Sequence, residues 1–195
     1  MRNSLLPPLR SAIFPVAIAV LSLTVAVAGE GALAALRYER DAMATGEIWR
    51  VITAHFTHLG WSHLGLNLAG LVLIWLLVGA AFSFMRWGVV FVVAALGTSA
   101  GLWWLEPQLH WYVGLSGVLH GLLIAGALAS LGTYKDAPLL LGLVVVKLVW
   151  EQWMGPMPGS EAAAGGPVVV ASHTYGAVGG LVAWLLLRVS RFRDG

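Results

Sequence analysis

Residues 113–132 read VGLSGVLHGLLIAGALASLG, an apolar run of bilayer-entering length that opens on a serine set between glycines. A hydroxyl in such a place has two explanations. Small residues let membrane helices pack closely, with Ser116 bonded to a backbone carbonyl. Alternatively, Ser116 is a nucleophile, which requires the rest of the chain to supply a base, an oxyanion site and a path for water.

Outward from this stretch the chain is uniformly oily. Of its 195 residues 59% are hydrophobic and 10% charged, with a mean hydropathy of +0.84, far from the balance of soluble domains. The composition describes an integral membrane protein. The formal charge of +2 is too small and dispersed for a nucleic-acid partner, and the absence of cysteine removes thiol chemistry and cysteine metal sites.

Six apolar runs, near 12–29, 63–84, 88–105, 115–132, 137–154 and 168–188, predict an all-α polytopic bundle of six transmembrane helices in one domain over 1–195. Arg2, Arg10, Arg86, Lys135, Arg188, Arg191 and Arg193 fall on one side, which the positive-inside rule makes cytoplasmic. Residues 1–11 and 189–195 then form cytoplasmic termini, and 30–61 a first extracytoplasmic loop. Arg2 and Arg10 before an apolar core and Ala26-Val27-Ala28 also resemble a signal peptide. An uncleaved first helix is preferred because the run is long enough to span.

The loop 30–61 is too long to be a bare connection. Ile48, Trp49, Val51, Ile52 and Phe56 recur at helical spacing and predict an amphipathic element in the membrane interface. His63 and Asn67, four apart, share one face of the second helix, a costly placement unless both are bonded. His55, His58 and His63 invite a zinc reading, which lacks an accompanying carboxylate pattern; the expected metal is none. Gly97 and Gly101 mark the third helix as scaffold. The loop 106–112 then puts Ser116 at a helix start on the outer side, where free N–H groups suit a developing oxyanion.

Lys147 and Glu151 lie one turn apart in the fifth run and read first as a mutually neutralising pair. The Gly/Pro-rich segment 155–167 reads as a gate. In the last run His173 precedes Gly176 and Gly180, a small-residue stripe matching Gly117 and Gly121 on the serine helix. Two such stripes allow the close approach that a proton transfer between Ser116 and His173 requires.

Four motifs in this order resemble the rhomboid family of intramembrane serine proteases, from Gly46 to Val189: Glu47-Ile48-Trp49-Arg50, His63-x-x-x-Asn67, Gly114-x-Ser116-Gly117 and His173-x-x-Gly176-x-x-x-Gly180. The resemblance implies a catalytic Ser116–His173 dyad, an oxyanion site from His63 and Asn67, and Gly114, Gly117, His120 and Gly176 as active-site neighbours. It implies no carboxylate third member, and Asp41, Asp136 and Asp194 are not placed to serve as one. Where many rhomboids carry a tyrosine four residues after the serine, this chain has His120, a rival base on the face of Ser116. That departure is similar to the rhombosortase branch, which implies cleavage of exported bacterial proteins at Gly-Gly-type C-terminal tails.

The implied partners are single-span membrane proteins and the lipid bilayer, with no cofactor. The implied location is a bacterial inner membrane with the site opening to the periplasm, and the oligomeric state is left open. A non-catalytic rhomboid-like client-binding protein is the alternative. A small transporter is disfavoured because no inverted repeat is visible.

Overall fold

The computed structural model describes residues 12–193, with side chains through 189. The termini 1–11 and 194–195, and the side chains of Arg191 and Arg193, lie outside the described residues. Each of the six apolar runs folds as a helix. Helix α1 (Ile13–Val27) ends at a sharp bend of 117° into α2 (Gly29–Leu36). Gly29 makes the bend with φ +78, a conformation that side chains resist. The first loop continues through β1 (Tyr38–Glu39), α3 (Arg40–Ala44) and α4 (Arg50–Thr53), with a 3₁₀ turn over Ala54–Phe56. Then come α5 (Trp61–Val78), α6 (Phe84–Leu105), β2 (Trp111–Tyr112), α7 (Ser116–Ser130), α8 (Ala137–Met154), α9 (Ser160–Ala164) and α10 (Val170–Arg193).

Among the described residues four segments are long and apolar enough to cross a membrane: Trp61–Ala81, Phe84–Leu105, Ala137–Met154 and Val170–Val189. The protein is multi-pass. Two of the six predicted spans fall short of that length: α1 and α7 have 15 residues each, about 22 Å of helix against a hydrocarbon core of about 30 Å. Helix α7 can be short because it is central: ten of its residues are buried, from Gly117 to Ser130. Helix α10 packs most extensively on α7 and α6. A methyl group on Gly176 would collide with the carbonyl of Gly117, and one on Gly180 with the carbonyl of Gly121. Gly97 meets Gly179 in the same way, so the scaffold role of α6 is a backbone-to-backbone seam with α10.

The two ends of the bundle differ. At one end Phe82, Leu131 and Arg188 border a common cavity, which brings the turns carrying Arg86 and Lys135 to the side of Arg188. An aromatic cluster lies above it, with Phe14 stacked on Trp87 at 6.1 Å and edge-on to Phe91 at 6.4 Å. At the other end the first loop is structured, as its length predicted. One departure from an all-α fold appears there: β1 and β2 pair antiparallel, Tyr38 opposite Tyr112 and Glu39 opposite Trp111. Two residues per strand give too little periodicity to read in a sequence.

Arg40 ties this loop to the bundle. Its guanidinium donates to the carbonyls of Leu102, Trp103, Glu106 and Leu109, satisfying the open C-terminus of α6. Arg50 is buried, donating to the carbonyls of Ala34 and Arg37 and to Glu47. The predicted amphipathic element is only four residues of α-helix, and its apolar side chains divide: Ile48 and Trp49 are exposed, while Ile52 and Phe56 pack on the core.

Candidate active site

Helix α7 begins at Ser116, and α10 begins three residues before His173. The glycine seam holds the two starts side by side, with Ser116 Oγ 3.1 Å from His173 Nε2. The predicted pair therefore meets.

On its other side His173 has a partner that the sequence reading did not assign. Nδ1 lies 2.8 Å from Glu151 Oε2. The second carboxylate oxygen, Oε1, accepts from Lys147 Nζ at 2.7 Å, and Lys147 is also 3.0 Å from His120 Nε2. His120 Nδ1 lies 2.8 Å from the main-chain oxygen of Ser116, and its ring stacks on His173 at 4.3 Å. The expectation of no carboxylate beside the dyad considered only aspartates and is corrected: Glu151, 3% exposed, stands against Nδ1 of His173. The i,i+4 spacing of Lys147 and Glu151 was legible, but the rotation of α8 that turns both toward α10 was not.

One set of proton positions satisfies the whole ring. Carbonyl and carboxylate oxygens only accept, so both Nδ1 atoms carry hydrogen: His120 Nδ1–H donates to Ser116 O, and His173 Nδ1–H to Glu151. Each Nε2 is then an acceptor, from Lys147 and from Ser116 Oγ–H respectively. His120 is bonded to the serine's carbonyl and not to its hydroxyl, so His173 is the group placed to take the proton. Ligand atoms of His120, Glu151 and His173 lie within 4.8 Å of one another, close enough for a metal ion. The ammonium of Lys147, bonded to two of the three, already supplies the positive charge there.

Ser116 and His63 line a cavity of about 330 Å³, bordered also by Gln108–Val113, Leu59 and Pro167–Val169. His63 Nδ1 accepts the backbone N–H of Leu59 at 3.3 Å, so Nε2 carries the hydrogen. Gly114, at φ +125, lets the loop pass the imidazole: a Cβ there would sit 2.9 Å from His63 Cε1 and 3.2 Å from Nε2. Tyr112, whose phenol burial pushes up from its ordinary value, donates to the Gly114 carbonyl at 2.8 Å and fixes that loop.

Asn67 is buried and is not among the residues lining this cavity. Its amide donates to the carbonyl of His63 at 2.9 Å, within its own helix. Of the histidines considered for zinc, His55 turns away to the carbonyl of Ala95 at 3.2 Å. His58 meets His63 edge-on at 5.1 Å. Burial holds His58 down at about 3 and His55 at about 4, so both are neutral. The Gly/Pro-rich segment is folded over the start of α5: Ser62 Oγ donates to Ala164 O at 3.4 Å, and Glu161 accepts from Val168 N at 3.2 Å.

The family model described as the Rhomboid domain matches residues 45–190, the part of the chain that carries every one of these contacts. The chain belongs to the rhomboid family. It is 31% identical over 156 residues to "Uncharacterized protein Rv1337" of Mycobacterium tuberculosis, which covers 74% of this chain and 61% of that protein. It is also 38% identical over 93 residues to "RHOMBOID-like protein 5" of Arabidopsis thaliana, covering 47% of this chain and 29% of the plant protein. This rhomboid therefore spans less than two thirds of the length of either relative.

Proposed function

We propose that this rhomboid is an intramembrane serine endopeptidase. The observation that carries the reading is the Ser116–His173 hydrogen bond of 3.1 Å, with Ser116 at the wall of a mostly apolar cavity that also takes in His63. Ser116 Oγ attacks a substrate carbonyl as its proton passes to His173 Nε2. His173 then gives that proton to the leaving nitrogen, and water, activated by the same base, releases the acyl group from Ser116.

The oxyanion falls to His63 Nε2–H and to N–H groups at the start of α7, which have no partner within the helix. Asn67 joins them only after a rotation that releases the His63 carbonyl. The cavity of about 330 Å³ in front of Ser116, walled largely by loop residues 108–113 and 167–169, supports access for water. A second crevice, of about 300 Å³ between α5 and α8, is apolar and runs to Lys147 and His120, which supports lateral entry of a transmembrane substrate. We place the protein in a bacterial inner membrane, both termini cytoplasmic and the site facing the periplasm, from the basic residues gathered at the opposite end. The substrate class that best fits is a single-span exported protein with a Gly-Gly-type C-terminal tail. Glycine lowers the cost of unwinding a helix before cleavage, and His120 after the serine is the residue pattern of the rhombosortase branch.

The test is coexpression with a tagged protein bearing such a tail. Wild type is expected to release the tail and to label with a fluorophosphonate. Ser116→Ala should do neither while keeping its melting temperature in detergent. Equal cleavage by Ser116→Ala would remove the mechanism, and binding without cleavage or labelling would make this a client-binding rhomboid.

A further inference from the structure

Rhomboid catalysis as the sequence resemblance implies it needs only serine and histidine, yet the second nitrogen of His173 is engaged. Glu151 Oε2 at 2.8 Å is its hydrogen-bond partner among the described residues. A neutralising partner for Lys147 would account for Oε1 alone, at 2.7 Å. The dedication of one buried carboxylate oxygen to each of two donors is the feature to explain. We propose that Glu151 is a positioning residue for the reaction, making Ser116, His173 and Glu151 a working triad inside the membrane, with Lys147 and His120 holding the carboxylate and the serine in register.

The chemistry follows from the proton positions. Glu151 accepts from Nδ1–H, so the lone pair of His173 is on Nε2, facing Ser116 Oγ. When the serine proton arrives at Nε2 the imidazole becomes a cation, and Glu151 is the anion in contact with it. The proton stays on His173; the carboxylate does not take it. Lys147 offsets the resting charge of Glu151, which spares the bundle an isolated anion, and its side chain is 34% exposed toward the crevice between α5 and α8. The titratable groups around His173 are His120 on α7, His63 on α5, Glu151 and Lys147 on α8, and Tyr175 on α10, which is turned to Glu106 at 2.8 Å.

This inference rests on the protease reading, and the experiment separates the two. The pH dependence of kcat/KM is measured for the full chain in detergent, using a quenched-fluorescence peptide derived from a substrate that wild type cuts. Glu151→Gln should lower kcat by about 10²- to 10⁴-fold with little change in KM, and its acidic limb should move to lower pH because the imidazolium has lost its counter-charge. Lys147→Met leaves Glu151 to His173 alone, and its acidic limb should move the opposite way, to higher pH. A purely structural ion pair beside His173 also moves the two limbs, by charge alone, so the deciding readout is kcat on its pH-independent plateau. Wild type that cuts, with Glu151→Gln within about threefold of it on that plateau, overturns the proposal, as do limbs unmoved or displaced in the same direction. Should Glu151→Gln fail to fold, Glu151→Asp decides: a plateau kcat lowered by more than about threefold supports the triad, and one within that range ends it. Wild type that cuts nothing defeats the protease reading instead.

Discussion

Among the described residues two serine hydroxyls lie against a histidine ring, and only one of the two pairs has donor and acceptor in the order that a proton transfer from serine requires. Ser116 Oγ lies 3.1 Å from His173 Nε2, and Ser99 Oγ lies 3.3 Å from His55 Nε2. Both histidines are buried, at 5% and 0% exposure. What separates them is the direction in which protons can move. His55 Nε2 also faces the carbonyl of Ala95 at 3.2 Å, so that nitrogen must carry hydrogen and donate. Ser99 spends its own proton on the carbonyl of Val51 at 2.7 Å. His173 is wired the other way round, with a carboxylate behind it and its acceptor nitrogen toward a hydroxyl at the edge of a cavity. A short Ser–His distance is therefore not a catalytic signature until the other partners of both the imidazole and the hydroxyl have been accounted for.

The largest expected difference between the two pairs comes from truncating each of them. His173→Ala is expected to reduce turnover by about 10⁴-fold or more, whereas Ser99→Ala should leave it within about threefold of wild type. Steady-state cleavage by the purified proteins measures both, and comparable losses in the two variants would erase the distinction. Next in size is the seam that brings α7 to α10. Gly176→Ala forces a methyl against the Gly117 carbonyl, which should cost about 1–3 kcal/mol of stability and, by moving His173 off Ser116, about 10²-fold in kcat. Thermal unfolding in detergent beside the kinetics checks this, and a stable variant of full activity would show that the seam does not set the geometry.

His120 offers a smaller test from inside the site. Replacing it by Phe keeps a ring against His173 and removes the bonds to Ser116 O and Lys147. A loss of about tenfold is expected, the size of one or two weakened hydrogen bonds. A loss matching His173→Ala would make His120 the base after all.

These contrasts also mark what was legible in the sequence. Helix positions follow from hydropathy, and the glycine stripes foretell which helices touch, so Ser116 and His173 were readable before any coordinates. Glu151 was visible as a residue but not as a partner. Its contact with His173 depends on the rotation of α8 against α10, and hydropathy carries little information about rotation for a helix that is apolar nearly all round. Asn67 shows the converse. Its spacing from His63 correctly predicts a shared face, but a side chain that can bond its own helix need not point into the site. The strand pair and the Arg40 cap were beyond reach, because each joins residues about seventy positions apart through backbone atoms that look alike at every position.

The smallest catalytic effect and the clearest pH signature belong to the inert pair. His55 is held neutral by burial, with its pKa lowered from 6.5 to about 4. Between those values the unfolded chain binds a proton that the folded chain refuses, so the stability this histidine contributes is present above pH 6.5 and is lost as pH falls toward 4. The loss is on the order of 3 kcal/mol across the window. His55→Gln can still donate to Ala95 but cannot titrate. It should cleave at nearly the wild-type rate near neutrality, and its melting temperature should fall less than that of wild type on acidification from pH 6.5 to pH 4. The difference between the two curves isolates His55 from His58, which burial also lowers and which continues to lose stability down to about 3. Parallel curves would mean that His55 is charged in the folded bundle. In that case its Nε2–H would no longer distinguish it from a base at rest, and the contrast with His173 would have to be carried by the carboxylate alone.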